Sequence, residues 1–287
     1  MQSASSKSSQ AAGFTLIEMS IVLVIIGLII GGVLVGQDLI RAAAVRAQIS
    51  QIEKYNTAVN TFYGKYGALP GDMNDTIARQ FGFATGVGNS DGIVSGSMTT
   101  GERAKFWEDL STANGLNIGL IDGSFSMPTP PGGGATGTFL ANYMPQAKIG
   151  NGNYIYVWSG GQYPFSGVTP PNYFGLSAVS NVSFALSSTP TIRVSQAYAI
   201  DTKTDDGLPT SGRVMAVYID SSSFDQSVGW TDGDDYNPPN AETIPITGAA
   251  TTCFDNGGVA GVPHYSIEIN SGAGANCALS FQFQSGD

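Results

Sequence analysis

The chain has 287 residues, of which 12% are charged, and its formal net charge is −10. The negative charge is concentrated from Gly67 onward, where 19 acidic and seven basic residues give a net charge of −12. Nucleic-acid binding needs basic patches against phosphate, so we expect no direct nucleic-acid binding. The 38 glycines indicate many turns, which favours a surface or secreted protein over a cytosolic enzyme.

The first predicted element is an apolar run, residues 14–36, with one charged residue, Glu18, and no proline. About 20 apolar residues suffice for a helix to cross the hydrocarbon core of a bilayer. The backbone must be helical there because lipid offers no hydrogen-bond partners. A charge at this depth is costly and usually functional. However, a carboxylate at a helix N-terminus is also favoured by the helix dipole, so Glu18 could simply start the helix at headgroup level.

Residues 13–18, Gly-Phe-Thr-Leu-Ile-Glu, resemble the type III signal sequence of type IV prepilins and type II secretion pseudopilins. The resemblance implies that residues 1–13 are a cytoplasmic leader, which a prepilin peptidase cuts off after Gly13. The same enzyme would methylate the new N-terminal Phe14. It further implies that Glu18 is the assembly glutamate, which neutralises the N-terminal amine of a neighbouring subunit in a filament.

The helix is predicted to continue beyond the membrane as an amphipathic half, residues 37–66, which ends at Gly64–Gly67 and Pro70. We expect its apolar stripe to form the spine of a head domain, residues 67–287; a free-standing stalk is the alternative. The polar residues predicted to lie mostly between the apolar ones are Gln37, Arg41, Gln48, Gln51, Lys54 and Asn60. The stripe itself recurs every three to four positions and comprises Leu39, Ile40, Ala43, Ala44, Ala47, Ile49, Ile52, Tyr55, Val59, Phe62 and Tyr63.

The head is predicted to be α+β, with the long N-terminal helix packed on a mainly antiparallel sheet, as in pilins. One helix is predicted from Thr100 to Ala113 and another, capped by Ser195, through Lys203. In the first, Phe106, Trp107 and Leu110 should face inward and the charged residues outward, mostly exposed, namely Glu102, Arg103, Lys105, Glu108 and Asp109. Strands are predicted over residues 153–159, 173–179, 182–186, 214–219, 265–269 and 278–283.

The two cysteines, Cys253 and Cys277, both lie near the C-terminus. A cysteine pair in an exported head predicts a disulfide. Two free buried thiols are the alternative.

No set of residues predicts catalysis. The single histidine, His264, is expected at a strand edge or turn. Calcium takes six to eight oxygen ligands, which acidic loops can supply, and it is the candidate cofactor. The aspartates that would bind calcium have two other interpretations, as solvated turns or as groups for acid–base catalysis. The two groups of candidate ligands are Asp201, Asp205 and Asp206, and Asp232, Asp234 and Asp235.

The sequence therefore favours a non-enzymatic structural subunit of a type IV pilus or a type II secretion filament, assembled through its N-terminal helix. A head of more than 200 residues indicates a minor or specialised subunit. The expected partners are the prepilin peptidase, other pilin or pseudopilin subunits and the inner membrane. The chain would cross that membrane once, with an extracytoplasmic head, before entering a cell-surface or periplasmic filament. The alternative is a membrane-tethered extracytoplasmic binding protein or hydrolase with a prepilin-type leader.

Overall fold

The computed structural model describes residues 13–111, 118–127, 135–160, 171–183, 185–219, 228–231, 244–258 and 262–285. The helices are α1 (Leu16–Tyr66), α2 (Asp75–Gln80), α3 (Glu102–Leu110) and α4 (Val194–Thr204). The strands are β1 (Ala135–Thr136), β2 (Asn153–Ser159), β3 (Pro171–Val182), β4 (Leu186–Thr189), β5 (Val214–Met215), β6 (Val217–Ile219), β7 (Val228–Trp230), β8 (Phe254–Asp255), β9 (His264–Tyr265) and β10 (Leu279–Ser285). A long N-terminal helix and an antiparallel sheet confirm the predicted α+β class.

The chain divides after Ala43 into two compact units. In the first unit, α1 is long and apolar enough to cross a membrane by length and composition. Its large apolar side chains are exposed, for example Leu16 at 88% and Leu28 at 77%. Such a surface is stable only in an apolar environment, because each exposed apolar side chain costs free energy in water. The first unit therefore fits a membrane anchor.

In the second unit, the remainder of α1 contributes one face to the hydrophobic core. The predicted core positions Ile52, Tyr55, Val59 and Phe62 are buried there. The prediction was wrong for Tyr63, which is 48% exposed, and for four positions at the start of the stripe, which are also exposed: Leu39, Ile40, Ala43 and Ala47. The buried positions recur every three to four residues: Val45, Gln48, Gln51, Ile52, Tyr55, Ala58, Val59, Phe62 and Tyr66.

Two glutamines on this face were wrongly predicted to lie between the apolar residues. Gln48 and Gln51 are buried because a crossing segment, residues 146–149, uses their amide groups. The Gln51 side chain donates to the carbonyl oxygen of residue 146 at 2.9 Å and accepts from the backbone N–H of residue 148 at 2.9 Å. Gln48 Oε1 accepts from the backbone N–H of residue 149 at 3.1 Å. Gln51 bonds through both its oxygen and its nitrogen, whereas Gln48 bonds through its oxygen and its buried Nε2 has no hydrogen-bond partner among the described residues. These bonds join α1 to the segment that crosses it.

The helix α1 ends where the sequence predicts. Gly67 follows its last residue with φ of +72°, and its N–H donates to the carbonyl oxygen of Tyr63 at 2.8 Å. This left-handed conformation is a common way to end a helix, and glycine adopts it without steric cost.

The main sheet is built around β3, which pairs antiparallel with β1, β2, β4 and β10, while β10 also pairs with β5. Tyr156 on β2 lies directly opposite Gly175 on β3. A Cβ at Gly175 would overlap the Tyr156 ring, so the glycine makes room for it. The Tyr156 hydroxyl accepts from the N–H of Ile219 at 3.0 Å, which joins β6 to this register.

The strand predictions were correct where the apolar pattern is continuous. β2 has the predicted bounds, and β3 extends beyond its predicted bounds at both ends. β10 begins one residue later and ends two residues later than predicted. The predicted strand 182–186 is wrong, because Val182 is the last residue of β3 and Leu186 is the first residue of β4. The predicted strand 265–269 is also wrong beyond Tyr265. There the N–H of Ile267 bonds the nearby carbonyl of Tyr265, and a 3-10 helix, Ile269–Gly272, follows.

The predicted strand 214–219 is interrupted at Ala216. The N–H of this residue donates to the carbonyl oxygen of Pro209 at 2.7 Å, and its carbonyl accepts from the N–H of Thr231 at 3.1 Å. The backbone of Ala216 therefore bonds outside the main sheet, and the strand becomes β5 and β6.

The helix α3 is shorter than predicted, and the exposure of its charged residues was predicted wrongly. All nine of its residues are buried, including five charged ones. Lys105 is 4% exposed and forms ion pairs with Glu108 and Asp109. Asp109 also accepts from the N–H of Gly71 at 2.8 Å, and burial raises its pKa to about 7. The charges of Lys105, Glu108 and Asp109 are thus paired inside the head, and the sequence pattern of this helix alone cannot distinguish such a buried face from a solvated one.

The predicted cap of α4 is also wrong. The N-cap residue is Arg193, without a side-chain cap bond, and Ser195 lies inside the helix. The first N–H of the helix, that of Val194, instead donates to the carbonyl oxygen of Gly274 at 2.9 Å. A backbone carbonyl 80 residues away in the chain thus satisfies an N–H group at the start of this helix.

Candidate functional site

The N-terminal segment presents the predicted processing site just before α1. Phe14 is 80% exposed, and within the described part of the chain no atom beyond the adjacent residues would lie within 4 Å of a Cβ at Gly13. The described residues from 13 onward therefore leave the Gly13–Phe14 peptide bond uncovered. Cleavage there stays a prediction.

The first turn of α1 is closed by hydrogen bonds between Thr15 and Glu18. Glu18 Oε2 accepts from the backbone N–H of Thr15 at 2.8 Å and from its hydroxyl at 2.7 Å. In return, Thr15 Oγ1 accepts from the N–H of Glu18 at 3.3 Å. This is a capping box, in which residues three apart satisfy the free N–H groups at a helix start. Sequence reasoning missed the role of Thr15, although the Thr-x-x-Glu spacing was a sufficient signal.

The capping box gives Glu18 a function within a single chain. Both bonds from Thr15 go to Oε2, so the carboxylate retains capacity to accept from a further donor through Oε1. A carboxylate can accept at about four lone-pair positions. The predicted pairing with the amine of a neighbouring subunit is therefore compatible with an intact helix start, and it stays a prediction.

The structure brings together the first group of candidate calcium ligands. Asp201, Asp205 and Asp206 each place one carboxylate oxygen within 4.8 Å of the others, at the end of α4. Asp201 is buried and accepts from the Tyr265 hydroxyl at 2.8 Å and from the N–H of Gly207 at 3.1 Å. Burial, with a smaller contribution from the two neighbouring aspartates, raises the pKa of Asp201 to about 7.

The other two members of this group also accept hydrogen bonds from their own turn. Asp205 accepts from the N–H of Val214 at 2.9 Å, and Asp206 accepts from the Ser211 hydroxyl at 2.7 Å. The three carboxylates could therefore bind a cation, or they could only accept the hydrogen bonds that stabilise their own turn. The second predicted group, Asp232, Asp234 and Asp235, lies outside the described residues.

Cys253 and Cys277 are joined by a disulfide, and both are fully buried. Cys277 also forms an antiparallel bridge with Ile192, with N···O distances of 2.9 and 2.8 Å. A loop of this size stabilises a fold by roughly 3 kcal/mol on the loop-entropy model. The disulfide therefore ties the segment before β10 to the segment before β8.

Comparison with protein families matches residues 8–34 to the prokaryotic N-terminal methylation motif. The matched segment contains Gly13, Phe14, Thr15 and Glu18, together with most of the exposed apolar part of α1. No curated protein and no solved structure matches the chain. The matched residues 8–34 lie outside the head. The chain carries the type IV prepilin-like signal, and this supports its place in the prepilin and pseudopilin family.

Proposed function

We propose that this protein is a structural subunit of a type IV pilus or a type II secretion filament, and that it is a minor or specialised one. The proposal rests on one observation: the methylation motif opens directly into a helix whose apolar side chains are exposed. In this proposal the helices of many subunits pack together, while the heads, residues 67–287, face outward from the membrane. The large size of the head supports a specialised position.

The alternative is a membrane-tethered binding protein or hydrolase that uses the same leader. A simple tether needs an apolar helix but no amphipathic continuation. Here α1 continues into the head and places Tyr55, Val59 and Phe62 in its core. This amphipathic continuation in the core of the head supports a filament subunit over a simple tether. Imaging filaments from cells with and without this chain discriminates the two functions.

We expect cleavage between Gly13 and Phe14, with methylation of the new amine. The physical reason is the open Gly-Phe step immediately before the membrane helix. Mass analysis of the N-terminal peptide from the membrane fraction measures both modifications. Gly13→Val should block processing, because a branched side chain replaces the small residue at the step, whereas Ala12→Val serves as the matched control. A mature chain that starts elsewhere, or that retains Met1, would contradict the assignment.

We also propose calcium as a ligand of Asp201, Asp205 and Asp206, supported by the convergence of their oxygens. Bound ligand stabilises a fold in proportion to RT ln(1 + [L]/Kd). Millimolar calcium should therefore raise the melting temperature of the full-length protein in detergent, and magnesium should do so much less. The effect should be larger at pH 8 than at pH 6, because Asp201, with a pKa of about 7, must lose its proton to bind the ion.

The matched variants for this test are Asp206→Asn and Asp122→Asn. Each removes one negative charge from an exposed side chain, but only the first belongs to the cluster. Calcium stabilisation should fall in Asp206→Asn and persist in Asp122→Asn. Coincident melting curves with calcium, magnesium and chelator would show that the three aspartates only stabilise their own turn.

A further inference from the structure

A second cluster of side chains that can bind a metal ion lies beside the disulfide. Its residues are separated in the sequence and meet only in the folded chain. β8 and β9 pair antiparallel so that Asp255 is directly opposite His264. Glu268 follows His264 by four residues, in the turn before the 3-10 helix. One nitrogen or oxygen of each side chain lies within 4.8 Å of the others.

The distances within this cluster suit a shared ion. His264 Nε2 lies 3.6 Å from Asp255 Oδ1 and 4.0 Å from Glu268 Oε2. Ligands that bind one metal ion at about 2.0–2.2 Å are separated by roughly 3 to 4 Å. The two distances from His264 therefore match the spacing of ligands on one ion, and the third pair lies within 4.8 Å.

Two glycines leave room around the cluster. A Cβ at Gly248 would lie 2.7 Å from Asp255 Oδ2 and 2.9 Å from Glu268 Oε1. A Cβ at Gly257, whose φ is +63°, would lie 2.6 Å from His264 Cε1. A side chain at Gly248 or Gly257 would collide with a candidate ligand, so glycine at both positions keeps the space beside the three side chains open.

Hydrogen bonds from neighbouring residues fix the orientation of the buried Asp255 side chain. It is 1% exposed, its Oδ1 accepts from the N–H of Gly257 at 2.7 Å, and its Oδ2 accepts from the Ser266 hydroxyl. Supporting hydrogen bonds of this kind orient metal ligands in proteins. In contrast, the side chains of His264 and Glu268 are 41% and 49% exposed, so an ion could enter from solvent and retain water as further ligands.

We propose that Asp255, His264 and Glu268 bind a divalent transition metal ion of the zinc class. One imidazole and two carboxylates are ligands that zinc accepts. Calcium, by contrast, takes oxygen ligands, so the imidazole distinguishes this site from the Asp201 cluster. The site lies two residues after Cys253, so the ion would connect β8, β9 and the following turn next to the disulfide. The proposal is independent of the proposed filament function.

The test uses the full-length protein purified in detergent, freed of metal by chelator and titrated with Zn²⁺ alone. Equilibrium dialysis with metal analysis should give one zinc ion per chain, and zinc should raise the melting temperature. His264→Gln and Glu268→Gln should each weaken binding by at least about 10-fold, because even the loss of a supporting residue typically costs 10–100-fold in affinity. Asp206→Asn, in the other cluster, should bind zinc like the unaltered protein.

Both ligand variants change side chains that are about half exposed, so the fold should persist in each. Circular dichroism and the intact mass of the disulfide-bonded chain check this point directly. The proposal is overturned if the unaltered protein binds no zinc at a free concentration of about 100 µM. We set this value as the largest dissociation constant that such a site could usefully have. The proposal is equally overturned if His264→Gln binds as tightly as the unaltered protein, or if only Asp206→Asn loses binding.

Discussion

Replacing Glu18 by alanine is expected to leave membrane insertion and leader removal intact and to abolish incorporation into filaments. Removal of a charge favours residence in lipid, by about 2.5 kcal/mol at a helix centre and by less near the interface. A loss of incorporation therefore cannot result from failed insertion. Membrane fractionation, the N-terminal mass and immunoblots of sheared filaments measure the three properties separately. Normal incorporation of the alanine variant would refute the proposed pairing between Glu18 and a neighbour's amine.

The capping box supplies a sharper control for this experiment. Glutamine at the third helical position can close a capping box as glutamate does, but it carries no charge. Glu18→Gln should therefore preserve the first turn of α1, where Thr15 bonds the side chain at 2.7–2.8 Å, while it removes the charge pairing. If charge governs assembly, both variants fail to assemble. If helix capping governs it, glutamine restores assembly and alanine does not.

Replacing Lys105 by methionine is expected to destabilise the head by about 3–5 kcal/mol, the usual cost of breaking a buried ion pair. Lys105 is 4% exposed, and its ammonium group lies against the carboxylates of Glu108 and Asp109. Without the cation, two carboxylates remain in the core. For a unit of this size the melting temperature should fall by roughly 6–20 °C. Thermal unfolding of the full-length protein in detergent, followed by circular dichroism, measures the change.

The exposed ion pair between Lys54 and Asp122 provides the matched control. The Lys54 side chain is 47% exposed and that of Asp122 is 95% exposed, so Lys54→Met should cost at most about 1 kcal/mol. The two variants remove the same group from different environments. Equal effects in both would show that burial does not determine the stabilising contribution of Lys105.

The effect of Lys105→Met should also depend on pH. The pKa of Asp109 is raised to about 7 by burial, and the positive charge of Lys105 opposes that rise. Loss of Lys105 should raise the pKa further, so the carboxyl group becomes protonated, and uncharged, over a wider range of acidic pH. The folded state then binds more protons than the unfolded state, and stability falls as pH rises. The difference in stability from the unaltered protein should therefore be smaller at pH 5 than at pH 8.

The N-terminal segment could be predicted in detail because its structure depends on neighbouring residues. The apolar run, the absence of proline and the Gly-Phe step are contiguous, and the membrane helix follows from them. The capping box between Thr15 and Glu18 comprises four consecutive residues, so its Thr-x-x-Glu spacing could also have been predicted. β2 was predicted with its bounds because aromatic and β-branched residues alternate without interruption.

Only the tertiary structure decided which polar residues of the head are buried and which side chains meet. Lys105 and Asp109 have the sequence pattern of a solvated helix, and their burial depends on segments that pack over α3 from elsewhere in the chain. Gln51 is buried because residues 146–149 cross α1. The cluster of Asp255 and His264 exists because β8 pairs with β9 in one register. Local sequence specifies helices, caps and single strands through short-range sterics and hydrogen bonds, whereas burial and side-chain clusters depend on long-range contacts that no local pattern encodes.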